Sequence, residues 1–267
     1  MILSEKAAQL YMYLSLQPYL FLRLMKLHIL AIAAHPDDIE LSAAGTLLKH
    51  IKAGDTVGIL DLTEGELGTR GSVAARYEEA GNAAKSMGVL VRHNAQMADG
   101  FFRNDEENQR KIIAYVRHYR PEIVIANALE DRHPDHGKGG RLIADACFLA
   151  GLRKIETKWE GKPQEAWRPK RVFHMIQDRH LEPSLIVDIS DTFEQKMEAI
   201  KCYTSQFHDP NSNEPLTYIS TGNFLETIMY RDSLAGKRIG TQYGEAFVCE
   251  NVPGIADLNS LLLPKLA

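Results

Sequence analysis

Continuous apolar runs, too unbroken for strands with one face in water, alternate along this chain with amphipathic helical stretches. LHILAIAAH (27–35) and EIVIAN (122–127) carry no alternation of apolar and polar residues, and TVGILDLT (56–63) carries little. Strands of that kind are buried on both faces. After the first run, Leu41, Ala44, Leu47, Leu48 and Ile51 form one stripe of a helix expected over Glu40–Ala53, and Gly54-Asp55 stops it. Ser72–Met87 reads as a second helix stopped by Gly88, VLVRHNA as a weak third strand, and Asn108–Tyr119 as a helix ended by Pro121. A helix is expected over Gly137–Ala150. Residues 151–170 read as a loop, 171–177 and 184–190 as strands. Asp191 is placed to cap a helix from Thr192 to about Tyr203. The turn-rich tail after Phe207 gives no assignment.

Such alternation implies an α/β, Rossmann-like fold: a mostly parallel sheet with helices on both faces. Sheets of this type bind ligands beyond the carboxyl ends of their strands, at a topological switch point. The chemistry is therefore expected in the loops after 27–34, 56–63 and 122–127.

The 267 residues carry 31 Lys and Arg against 35 Asp and Glu, a net charge of −4. Nothing in that balance suits nucleic acid or an anionic membrane. Cys147, Cys202 and Cys249 lie far apart with no CxxC pair, so free thiols in a reducing, cytoplasmic setting are expected. The apolar segment Leu10–Leu24 is interrupted by Ser15, Gln17 and Pro18 and is shorter than a bilayer span of about 20 residues. It also lacks a basic leader and a small-residue cleavage site. Met25 stands directly before the first strand. Residues 1–24 are read as an upstream extension, the alternative being a short helix that docks on a partner or lipid, and residues 25–267 as a single domain.

Two strand-end loops hold the chain's most unusual chemistry. One is Ala34-His35-Pro36-Asp37-Asp38-Ile39-Glu40; the other is Asp131-Arg132-His133-Pro134-Asp135-His136-Gly137. His35 and Asp38, three apart in a strand-to-helix turn, can aim at one point while Asp37 faces elsewhere. A third ligand from the second loop would make two imidazoles and one carboxylate, a set that suits Zn²⁺ with an open position or Fe²⁺. Asp37, His133 and Asp135 are then left around the ion. A carboxylate there is a natural general base, and a His paired with an Asp can be held protonated. Taken singly, either loop could be turn chemistry, with Asp37 or Asp38 merely capping the next helix. In the loop EGELGTRGS, Arg70 could meet a substrate carboxylate.

The pair AHPDD and HPDH resembles the PIG-L/LmbE-like metal-dependent N-acetylglucosamine deacetylases. The likeness extends through TEGELGTRGS, Arg76-Tyr77-Glu78-Glu79-Ala80, ADG at 98–100 and YTSQF at 203–207, and covers Lys26 to about Tyr243. The Gly-rich loop and SQF are similar to the subgroup that deacetylates N-acetylglucosaminyl-malate in bacillithiol biosynthesis. The resemblance implies that His35, Asp38 and His136 bind the metal and that Asp37 is the general base. It makes His133, backed by Asp135, the oxyanion stabiliser and proton donor. Arg76, Asp99 and Arg132 match positions lining the sugar site, and Tyr218 a tyrosine near the carbonyl. It implies further a small amino-sugar substrate and a homo-oligomer, trimer or hexamer. The expectation is a cytoplasmic zinc-dependent amidohydrolase. Its rivals are the deacylation of another amino-sugar glycoside or amide, a non-haem iron oxygenase, and a module that only binds.

Overall fold

The structure, a computed structural model, describes residues 26–207 and 213–263, so the expectations for residues 1–24 and Met25 lie outside the described residues. Strands and helices alternate through β1 (Ile29–Ala33), α1 (Asp38–Lys52), β2 (Val57–Thr63), α2 (Val73–Met87), β3 (Val91–Met97), α3 (Glu106–Tyr119), β4 (Ile123–Ala126) and α4 (Pro134–Ala150). A short hairpin follows, β5 (Lys158–Trp159) and β6 (Lys162–Pro163). The chain then forms β7 (Arg171–Met175), β8 (Leu185–Asp188), α5 (Phe193–Lys201), α6 (Phe224–Ile239) and β9 (Gly244–Val248). None of the helices among the described residues is long and apolar enough to cross a membrane.

The main sheet runs in the order β3-β2-β1-β4-β7-β9-β8. Strands β1 to β4 and β7 are parallel, and β9 is antiparallel to both of its neighbours. From β1 the chain goes outward to β2 and β3 on one side and later to β4 and β7 on the other. The switch point is thus between β1 and β4, with the AHPDD loop leaving one and the HPDH loop following the other.

Side-chain alternation sends successive strand residues into two cores. Leu30, Ile32, Leu60, Leu62 and Val124 pack with Ile112, Ile113 and Val116 of α3 and Leu142 and Ile143 of α4. Ile29, Ala31, Ala33, Ile59 and Ile125 pack with Ile39, Ala43, Ala44, Leu47 and Leu48 of α1. This three-layer burial explains why the strands carry no polar face. Helix α1 is covered a second time where its Leu41 packs with Ala80 and Ala83 of α2, Ile200 of α5 and Ile228 of α6. At Gly140 in α4 a Cβ would stand 2.7 Å from the Asn127 carbonyl oxygen and 2.8 Å from that of Ala128. Only glycine lets α4 lie so close to the loop leaving β4.

Several boundaries differ from the sequence reading. Helix α1 starts at Asp38, α3 at Glu106 and α4 at Pro134, because proline and carboxylates are at home in a first turn. The expected loop 151–170 contains the β5–β6 hairpin. Its Trp159 stacks on His118 at 4.0 Å, and Trp167 donates to the Pro121 carbonyl at 2.8 Å, so both tryptophans pack on their own chain. Asp191 does not cap α5; it pairs with Lys49 at 2.7 Å, and Thr192 takes the capping position without a side-chain bond. The unassigned tail supplies α6 and β9.

Candidate active site

Three strand ends are tied together beneath the switch point. Asn127 Oδ1 accepts from the Ala34 amide at 2.8 Å, and the Ala34 carbonyl accepts from the amide and hydroxyl of Thr63, both at 3.0 Å. The chain then turns sharply: Asp37 has φ 114° and ψ −27°, a left-handed conformation in a residue with a Cβ. Strain of this kind costs on the order of 1–3 kcal/mol and persists only where the surroundings hold it. Asp37 occupies the capping position of α1 yet makes no capping bond. Its carboxylate is paired with Arg76 Nη1 at 3.2 Å instead. The turn thereby sends Asp37 and Asp38 in different directions.

Asp38 is the hub of the second direction. Its Oδ1 lies 3.1 Å from His136 Nε2, and its Oδ2 lies 3.5 Å from His35 Nδ1. Donor atoms around a tetrahedral ion at ~2.0–2.1 Å stand about 3.3 Å apart, so these separations fit a divalent metal. The far nitrogens of both rings are held by carboxylates: His136 Nδ1 by Asp131 Oδ2 at 2.5 Å and His35 Nε2 by Asp99 Oδ1 at 3.0 Å. Such bonds choose the tautomer and aim the other nitrogen at the ion. Asp38 itself accepts from Gln177 Nε2 at 2.8 Å and Asn127 Nδ2 at 3.2 Å. His35, Asp38 and His136 thus form a candidate ligand set in which Asp38 faces each imidazole with a different oxygen, and His133 adds a nitrogen within 4.8 Å of those of His35 and His136.

The electrostatics agree with a cation at this point. Burial would lower His35 and His136, yet their carboxylate partners outweigh it. His136 rises to about 9 and His35 goes well above its usual value. Burial would raise Asp38, but the two imidazoles hold it well below the ordinary carboxylate range. Asp37 goes the opposite way. Burial lifts it, Arg76 opposes, Asp38 adds repulsion, and it is pushed up to about 7. A carboxyl poised near neutrality can both take and return a proton.

His133 caps α4, with Nδ1 accepting from the Asp135 amide at 3.3 Å, so Nε2 carries the proton. Burial and the neighbouring imidazoles of His35 and His136 keep this ring below its usual pKa, hence neutral. The expectation that the Asp135 carboxylate backs a protonated His133 is corrected. That carboxylate is turned to Lys138 Nζ at 2.6 Å, the Gly100 amide at 2.7 Å and His35 Nε2 at 3.5 Å. His133 is a neutral donor.

A cavity of about 450 Å³ opens over these groups, lined among others by His35, Asp37, Asp38, His133 and His136. The expected substrate residues fall differently around it. Arg70 is buried and holds the Ser205 carbonyl at 3.1 Å and the 214–215 backbone, so it serves the loop and does not face the cavity. Arg76 reaches the cavity, but it is bound to Asp37, to the Pro36 carbonyl at 2.6 Å and to Gln206. Asp99 lines the cavity with one oxygen on His35 and the other on the Leu67 amide at 3.0 Å, so it braces the His35 ring from a position that also faces the substrate space. Arg132 and Tyr218 do line the rim. Asp178 takes Arg132 Nε at 2.6 Å and the Tyr218 hydroxyl at 2.8 Å, and the guanidinium lies 4.1 Å over the ring.

Sequence reading gave no role to Asn127, Gln177 or Gln206 and none of its own to Asp131. Asp131 stands within the HPDH loop and Asn127 ends the β4 run, so both were within view. Gln177 and Gln206 act on groups 139 and 130 residues away, which no local pattern reveals. His28, His50 and Asp55 also gather, half-exposed, although their spacing gives no ligand pattern.

A family profile described as PIG-L, GlcNAc-PI de-N-acetylase, matches residues 30–147. The chain is 30% identical over 241 residues to diacetylchitobiose deacetylase of Thermococcus kodakarensis, covering 85% of this chain and 84% of that protein. It is 27% identical over 195 residues to 4-oxalmesaconate hydratase of Pseudomonas putida, covering 67% and 74%. Among solved structures, the conserved protein TT1542 of Thermus thermophilus superposes with a TM-score of 0.78 at 32% identity, over 87% of this chain and 98% of that one.

Proposed function

The chain belongs to the PIG-L family, and from that premise we propose that it is a zinc-dependent deacetylase of an N-acetylated amino sugar or its small glycoside. One observation carries the reading. A ligand set, a buried base on a strained turn and a neutral imidazole donor converge on a single cavity. A divalent metal, which His35, Asp38 and His136 would hold, would supply polarisation of the acetamide carbonyl and a water reactive near neutral pH. Asp37 takes the proton of the attacking water. His133 donates from Nε2 to the carbonyl oxygen as negative charge develops there. Arg76 holds the Asp37 carboxylate in place between these steps. Asp37 then returns the proton to the nitrogen as the C–N bond breaks, leaving acetate and a free amine.

The aglycone is the finer question. N-acetylglucosaminyl-malate would bring two carboxylates, which suit free guanidiniums. Arg70 and Arg76 are held by protein groups, and Arg132 gives Nε to Asp178 while its terminal nitrogens stay on the rim; one such guanidinium suits two carboxylates poorly, and that favours a neutral saccharide over malate. The hydratase relative gives a second reading, the addition of water to an unsaturated carboxylic acid. The same pairing of the arginines speaks against it. Acetate release decides among them. Turnover of N-acetylglucosamine glycosides without O₂ consumption supports the deacetylase. Hydration of an unsaturated polycarboxylate with no acetate release would overturn it. A higher kcat/KM for the malate conjugate than for a neutral disaccharide would restore the anionic aglycone.

A further inference from the structure

A second space reaches the same ligand. It is a groove of about 290 Å³ that shares Leu41, Arg132, His136, Gln177, Tyr218 and Ile219 with the main cavity. The main cavity adds the Gly65–Thr69 loop, Asp99, Gly100 and Gln206, whose polar groups can meet hydroxyls. The groove extends the shared apolar floor of Leu41 and Ile219 with Phe224 and Ile228. Its charged groups are paired: Arg132 with Asp178 at 2.6 Å, and Arg231 with Asp232 at 3.1 Å and the Gln177 carbonyl at 2.7 Å. Thr227, at the exposed start of α6, stands on its edge.

An amide has two ends. When its carbonyl lies over the ligand set, the amine end bears the sugar and the acyl carbon extends the other way. Sugar hydroxyls need polar partners, which the main cavity supplies. An acetyl methyl uses little of a groove this size, and each further methylene entering it leaves water for an apolar surface. Asp178 fixes Arg132 and Tyr218 where the two spaces meet, so the passage is part of the built site.

We propose that this groove is an acyl subsite and that the enzyme accepts N-acyl amino sugars with straight acyl chains longer than acetyl. The inference rests on the deacetylase reading. N-acetyl-, N-propionyl- and N-butyrylglucosamine are compared as substrates of the metal-loaded enzyme. The N-butyryl kcat/KM is expected within about tenfold of the N-acetyl value. Thr227→Phe, which narrows the groove from an exposed position, should lower the butyryl-to-acetyl ratio by about tenfold or more; the ratio cancels any general loss. Calorimetry with sodium hexanoate against sodium acetate adds a readout without turnover. Hexanoate should bind more tightly, and Thr227→Phe should remove the difference. Good turnover of the N-acetyl sugar with a butyryl value more than tenfold lower, or a ratio unmoved by Thr227→Phe, would overturn the acyl subsite alone. Failure of all three substrates would overturn the deacetylase reading with it.

Discussion

Asp37 shows how one residue can be decided by its backbone. A carboxylate at the start of a helix ordinarily caps it, and φ 114° takes this side chain away from that duty. Asp37→Asn keeps the shape and the turn but cannot accept a proton. It should lower kcat by roughly 10²–10⁴ while metal content stays at the wild-type level; parallel kinetics and metal analysis check this. Asp131 gives the complementary case. Its Oδ2 holds the far nitrogen of His136, and its Oδ1 accepts from the Asp178 and Arg179 amides at 3.2 and 2.8 Å; Asp131→Ala should weaken metal binding by about 10- to 100-fold and loosen the 178–179 backbone. Competition with a chelating dye reads that number. The five residues His35, Asp37, Asp38, His133 and His136 were readable because each lies in a short loop whose spacing carries the pattern. The arginines were not. What a guanidinium does depends on the partner it finds, and Glu214, Gln206 and Asp178 come from elements distant in the chain from Arg70, Arg76 and Arg132.

At the level of elements, the buried parallel strands announce themselves and the antiparallel strand β9, set between β7 and β8, does not. Strands β1, β2 and β4 are apolar on both faces because helices cover both. Strand β9 is five residues, and α6 carries Asp232 inward, which blurs its stripe. That inward carboxylate belongs to a buried network. Lys196 Nζ bridges Asp232 at 2.6 Å and Glu245 at 2.7 Å, all three side chains being at most 2% exposed. Glu245 in turn accepts from the Gly45 and Thr46 amides of α1 at 2.9 and 2.7 Å. The network thus ties α5, α6 and β9 to the helix that presents Asp38. Removing one member leaves uncompensated charge in the core. Lys196→Met should cost about 3–5 kcal/mol in urea unfolding. A loss under about 1 kcal/mol would mean that the carboxylates find water or protons at little cost.

For the molecule as a whole, the proposed ligand set joins the two sides of the switch point: His35 and Asp38 come from the β1 exit and His136 from the helix after β4. A metal bound there should therefore stabilise the folded protein, by about 4 kcal/mol at a thousandfold excess over Kd. Protons compete for the same place, and that sets the pH dependence. In the metal-free protein His136 has its pKa raised from 6.5 to about 9, because Asp38 and Asp131 outweigh the effect of burial. A raised pKa contributes stability that is complete below 6.5 and lost as pH rises through 9. The metal-free fold should therefore weaken over that window. The loaded protein has no such proton to lose, since a ligating imidazole is already neutral. At saturating metal, the difference in Tm between loaded and chelated protein should widen from pH 6.5 to pH 9. The same logic requires metal binding at pH 7 to release protons, visible as a dependence of calorimetric heat on the ionisation enthalpy of the buffer. Scanning calorimetry at the two pH values, with and without chelator, tests the first expectation. A gap that stays constant or narrows toward pH 9 would mean that His136 does not hold its proton in the metal-free fold, and with it that Asp38 and Asp131 do not draw positive charge to this point.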